Sequence, residues 1–168
     1  MERNLRTSEH NLKIKGWFEI KNDKGDVELV VHNDLLTKGA RWLLSALTNS
    51  LAGDGYPANA AKFIHYGYGN IVVDPVVDFR LGTWTGSLGA ITTVVKTSDA
   101  LITMSLSYTT GGLPIYINEL AIATTAANPA NSINYANAVL DRAVLTSTYI
   151  IPPNTTKTIT YYMEINVA

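Results

Sequence analysis

The chain has 168 residues, a formal net charge of −1 and no cysteine. Its length suits one domain, which at this size buries roughly 70% of its unfolded surface and needs no covalent or metal staple. The missing cysteines remove disulfides, thiolate metal sites and cysteine nucleophiles, and the near-neutral charge lacks the basic footprint of a direct nucleic-acid binder.

No apolar run reaches the ~20 residues of a membrane-spanning helix. The start, Met1 to Asn11, carries basic residues with no apolar stretch after them, so no signal peptide is expected. Charged residues make up 16% of the chain, below the roughly one quarter usual for soluble domains. Threonine, alanine and asparagine take their place, mostly beyond residue 90, which predicts a weakly charged surface suited to contact with neighbours.

Residues 1–11 are polar and of mixed charge. Such a stretch frays unless it lies against something, so it is expected to be an arm that lies on another subunit, with Arg3, Leu5 and Arg6 as candidate interface residues. Residues 12–168 form a single domain. Leu12 to Lys21 alternates apolar and polar positions with a period of two, predicting a strand. Asn22-Asp23-Lys24-Gly25 is turn chemistry, and Asp26 to Val31 reads as the return strand of a hairpin. Thr37 is an N-cap candidate for a short amphipathic helix, with Ala40, Leu43, Leu44 and Leu47 on one stripe. Residues 56–90 are expected to be irregular and surface-lying, with short strands conceivable at Phe63–Tyr68 and Ile71–Val73. Gly82, Gly86 and Gly89 place Trp84 in a loop, where it is a candidate interface residue, although a lone tryptophan most often folds back on its own core. From residue 91 the pattern is β throughout: Ile91–Lys96, Leu101–Tyr108, Ile115–Thr124, Ala138–Ile151 and Thr156–Val167. Turn signals separate these runs, which predicts an antiparallel β-sandwich, jelly-roll or immunoglobulin-like.

Motifs for chemistry fail one by one. His10, His32 and His65 show no metal-ligand spacing. Thr85-Gly86-Ser87-Leu88-Gly89 lacks the spacing of a nucleophile elbow. Tyr66-Gly67-Tyr68-Gly69-Asn70 lacks the later glycine of a dinucleotide fingerprint and the lysine of a phosphate loop, and reads as a place where backbones approach closely. Lys24 interrupts any cation loop at Asn22–Asp26. Asp74 and Asp78 are the remaining calcium candidates, with plain loop residues the preferred reading. No metal or cofactor is expected.

Glu119 falls in phase with Ile115, Ile117, Ala121 and Ala123. If that face is inward, the carboxylate needs a partner, and Arg142 on a later strand is the candidate for a structural Glu119–Arg142 pair. If Tyr116, Leu120 and Ile122 face inward instead, Glu119 lies in solvent.

Two stretches carry a resemblance. The first runs from Gly16 to Leu47: a hairpin, then Val31-His32-Asn33-Asp34-Leu35-Leu36-Thr37-Lys38-Gly39, then the expected helix. The second holds Ile117-Asn118-Glu119-Leu120-Ala121-Ile122, Val139-Leu140-Asp141-Arg142-Ala143-Val144-Leu145, Pro152-Pro153-Asn154 and a threonine-rich last strand. This order, over about half the chain, resembles small structural proteins of tailed bacteriophages, with Ala121 where their second motif usually has glycine. The resemblance implies a non-enzymatic virion protein, assembled in the host cytoplasm. Its implied partners are copies of itself and the major capsid protein or other virion proteins. Its implied role is capsid decoration or cement, or a tail component. The alternative is a tail, fibre or baseplate module binding host-surface glycans through Trp84 and loop tyrosines. A glycan hydrolase would need two facing carboxylates, and no motif nominates them.

Overall fold

The computed structural model describes residues 12–35, 62–69, 81, 83–125 and 139–167. The expected arm, the helix after Thr37, the Ile71–Val73 strand and Asp74 and Asp78 lie outside these residues. The described chain forms nine strands and no helix: β1 (Leu12–Lys21), β2 (Val27–Leu35), β3 (Phe63–Gly67), β4 (Trp84–Ala90), β5 (Thr93–Lys96), β6 (Leu101–Thr109), β7 (Ile115–Ala123), β8 (Val139–Ile151) and β9 (Thr156–Val167).

The hairpin forms where the turn chemistry predicts it. Asn22 Oδ1 accepts from the amides of Lys24 and Asp26 at 3.0 and 2.9 Å, and Gly25 supplies the positive φ of +88°. The stretch around Trp84 differs from expectation, because it is strand β4 where a loop was predicted. Its glycines serve packing. A Cβ on Gly86 would stand 3.1 Å from the Tyr66 ring. Gly89, at φ +139°, sits where the β3–β4 register shifts. The result is a bulge in a strand that stays paired.

All pairings are antiparallel, in the order β4-β3-β7-β8-β2-β1-β9-β6-β5. Two sheets result, β4-β3-β7-β8 and β2-β1-β9-β6-β5. Their facing sides share one core: Ile64, Ile117, Leu120, Ile122 and Leu140 from the first, and Phe18, Ile20, Leu106, Ile159 and Tyr161 from the second. Among the described residues the order is not that of an immunoglobulin domain, where the first strand is an edge beside the second; here β1 lies between β2 and β9.

Two corners join the sheets. At the first, Ile91 N–H donates to Lys62 O at 2.7 Å and Thr92 N–H to Ser105 O at 2.9 Å. Consecutive amides of an extended chain point to opposite edges, so the segment leaves β3 on one side and joins β6 on the other. At the second, β2 pairs with β1 through Asn33, and then Asp34 and Leu35 pair with Arg142 and Asp141 of β8. Strands that change sheets in this way make the corners of a sandwich.

Candidate functional site

The ladder between β7 and β8 breaks at one place. Ile117 pairs with Tyr149 and Glu119 with Val144, so β7 advances two residues while β8 advances five. Inward residues of β7 are odd-numbered up to Ile117 and even-numbered from Leu120 onward. The period-two reading therefore puts Glu119 in phase with Ile117, while the break places it on the outer side of the first sheet. It is buried there all the same, because that side is covered as well: Ala121 packs with Leu81 and Val139, and Trp84 lies against them.

Arg142 joins Glu119 on this outer side. Arg142 Nε donates to Glu119 Oε2 at 2.8 Å, and the side chains are 1% and 0% exposed. The other oxygen, Oε1, accepts from the amides of Gly69 at 2.9 Å and Thr83 at 2.8 Å. Glycine is required at two of the surrounding positions. A Cβ on Gly69 would stand 2.5 Å from Oε1, and one on Gly67 would stand 2.5 Å from the same atom and 2.2 Å from Thr83 O. The Gly67-Tyr68-Gly69 turn is thus an anion cradle, filled by the protein's own carboxylate.

Beside it, His65 is fully buried. Trp84 Nε1 donates to His65 Nδ1 at 2.7 Å, so Nε2 carries the proton and donates to Thr125 O at 2.6 Å. Burial pushes the imidazole pKa below its ordinary value, against the smaller upward pull of the Thr125 carbonyl. Trp84 is half-buried, with its indole N–H held by His65.

A second buried acid faces the core. Asp141 is 2% exposed and accepts a hydrogen bond from the Tyr161 hydroxyl. Burial, then the charge of Asp141, holds the Tyr161 pKa well above its ordinary value. This bond joins β8 of one sheet to β9 of the other. It passes close to Gly16, where a Cβ would stand 2.8 Å from Asp141 Oδ2.

A third polar node ties β2 to β8 and β9. The register shift between Ile20 and Lys21 leaves Glu28 as the extra residue of β2, and bulges re-aim side chains. Glu28 Oε2 accepts from Lys157 Nζ at 2.6 Å and from the Tyr149 hydroxyl. The Lys157 bond, then the Tyr149 bond, lowers the Glu28 pKa, and burial followed by Glu28 raises that of Tyr149.

Chemically these centres fasten strands together. Glu119 and Asp141 lie on opposite sides of the first sheet, so they do not form the facing pair that glycoside hydrolysis uses. The sequence nominated Glu119 and Arg142, and the fold brings them together. It gave no sign of the His65–Trp84, Asp141–Tyr161 or Glu28–Lys157–Tyr149 contacts, whose partners are 19, 20, 121 and 129 residues apart. Arg3, Leu5 and Arg6 lie outside the described residues.

The open surface has a different character. Tyr116 and Ile150 are direct cross-strand partners, and the ring centroids of Tyr68 and Tyr116 are 6.4 Å apart. All three are more than 40% exposed, and none is charged. They form an apolar patch on the uncovered end of the first sheet. No protein-family profile matches the chain, and neither the curated proteins nor the solved structures contain a significant match to it.

Proposed function

We propose that the chain is a non-enzymatic structural protein that assembles with neighbouring subunits in a tailed-phage virion, as a capsid decoration or cement protein. The observation that carries the assembly reading is the contiguous Tyr68–Tyr116–Ile150 patch. Exposed tyrosine with an aliphatic neighbour and no charge is the composition of an interface centre. The edge strand β5 adds support, since Val94 and Val95 are 62% and 47% exposed and open edges invite pairing. The virion setting rests on the phage-like motif order alone.

Sedimentation velocity over a concentration series tests the assembly. The wild type is expected to form oligomers or to bind the capsid of the phage that encodes it, while Tyr116→Glu and Ile150→Glu keep their fold and lose that association. A wild type that stays monomeric and does not bind the particle overturns the reading.

The glycan-binding alternative draws less support from Trp84, which is half-buried with its indole N–H bonded to His65. It also gains little from Trp17, which stacks on Tyr162 at 4.8 Å with 4° between the planes, so that each ring covers a face the other would offer to a sugar. Tyr68 and Tyr116 are its remaining platform. Titration with host surface polysaccharide, followed by tyrosine and tryptophan fluorescence, separates the two readings.

A further inference from the structure

His65 lies on the outer side of the first sheet, away from the core that the two sheets share. Its cross-strand partners are Ala121 of β7 and Ser87 of β4. Both ring nitrogens are committed. Nδ1 accepts from the Trp84 indole at 2.7 Å, and Nε2 donates to Thr125 O at 2.6 Å. This arrangement suits one protonation state alone. An indole N–H only donates, and an imidazolium has two donors and no acceptor. A second proton on the ring therefore sets two N–H groups against each other across the Trp84 contact and ends that bond. The Thr125 bond survives.

The charged groups around the ring do not favour the imidazolium. On the same side of the sheet β7 carries Glu119 and β8 carries Arg142, and these are paired with each other at 2.8 Å. Asp141 of β8 is turned the other way, to Tyr161. Tyr66 of β3 itself packs against the shared core, and β4 has no titratable side chain.

The indole can leave without its strand. Trp84 is the first residue of β4 and lies beyond the register shift between Tyr66 and Gly67. Thr83 before it is fastened twice, by its amide to Glu119 Oε1 at 2.8 Å and by its carbonyl, which accepts from Tyr68 N–H at 3.0 Å. Leu88 after it is held in the shared core. Once the His65 bond is gone, the indole keeps its apolar contact with the small cluster of Leu81, Ala121 and Val139. That cluster is separate from the core between the sheets.

We infer that His65 and Trp84 form an acid-sensitive latch: one proton on His65 releases the Trp84 indole to solvent and uncovers Leu81, Ala121 and Val139, while the core between the sheets stays closed. The latch works within one molecule and is independent of the assembly reading. Burial holds the latched imidazole below its ordinary 6.5, and release returns the ring to water. The proton therefore binds the open form more strongly. Opening is favoured by up to about tenfold for each pH unit below 6.5, until the latched form itself titrates.

NMR on isotope-labelled protein tests the latch, with the Trp84 indole N–H identified by its loss in Trp84→Phe. As the pH falls from 7 to 5, the hydrogen-exchange protection factor of that N–H is expected to drop by as much as about tenfold per pH unit below 6.5. The amides of Phe18 and Ile159 are expected to keep theirs, with circular dichroism unchanged. The amide of His65→Gln can accept from the indole and donate to Thr125 O without titrating, so there the Trp84 protection is expected to be independent of pH. Trp84→Phe gives a second readout. Without the indole donor, which favours the neutral ring, His65 is expected to titrate at higher pH than in the wild type. Three results each overturn the latch: Trp84 protection that holds until the sheets unfold, a pH dependence that persists in folded His65→Gln, or a His65 ring that titrates identically in wild type and Trp84→Phe.

Discussion

Arg142 and Glu119 illustrate how costly a half-removed ion pair is. Taking either charge out of water is unfavourable, and only the partner with its surrounding donors offsets it. Arg142→Met leaves Glu119 with its two amide donors and without that cation, so a loss of about 3–5 kcal/mol is expected, read from urea denaturation. The double variant Glu119→Leu/Arg142→Met removes both charges of this pair and is expected to recover part of the loss. His65 gives a pH signature. Its folded pKa lies below the ordinary 6.5, so below that pH the unfolded chain binds the proton more readily. Its contribution is present in full above pH 6.5 and falls away as the pH drops toward the folded value. In His65→Gln the dependence of unfolding free energy on pH between 7 and 5 is expected to flatten. An unchanged slope would assign that dependence to other groups.

At the scale of the element, glycines and bulges matter more than propensity. Gly67→Ala and Gly69→Ala each drive a methyl into the Glu119 carboxylate. They are expected to cost about 1–3 kcal/mol, as overpacking does. Gly111→Ala, which meets nothing, serves as the control and is expected to leave the melting temperature nearly unchanged. The break between Ile117 and Glu119 has a larger consequence, since it moves the core-facing positions of β7 from odd to even residues. Ile117 and Leu120 therefore face the same core, while Ala121 packs on the opposite side.

For the whole molecule, the seam between β2 and β8 is where the two sheets are least joined. Two residue pairs hold one end, and Glu28 holds the other. Glu28→Ala leaves Lys157, whose side chain is 7% exposed, without its carboxylate. An expected loss of about 1–3 kcal/mol should come with faster amide exchange along Leu29–His32 and along residues 144–147, and no change in β1, which β2 and β9 flank. Equal acceleration in β1 would mean that the seam does not open by itself. The Glu28 contribution is present above the ordinary value of 4.5 and is lost as the pH falls below it toward the lowered folded pKa. The seam is therefore expected to loosen in acid.

Local pattern alone determined that the chain is mostly β. The alternation in β1, β6 and β9 and the Asn22–Gly25 turn are properties of neighbouring residues, so they were legible. The Glu119–Arg142 pair was legible for a related reason, since a carboxylate amid an apolar run needs a partner and the next strand, β8, carries one cation. The tertiary structure decided the rest. Which side Glu119 occupies depends on a ladder break whose extra residues sit in β8. Trp84 became a strand residue because its glycines accommodate Tyr66 and the register shift opposite. Each of these depends on residues distant in the chain, and a periodicity read within one segment carries no information about them.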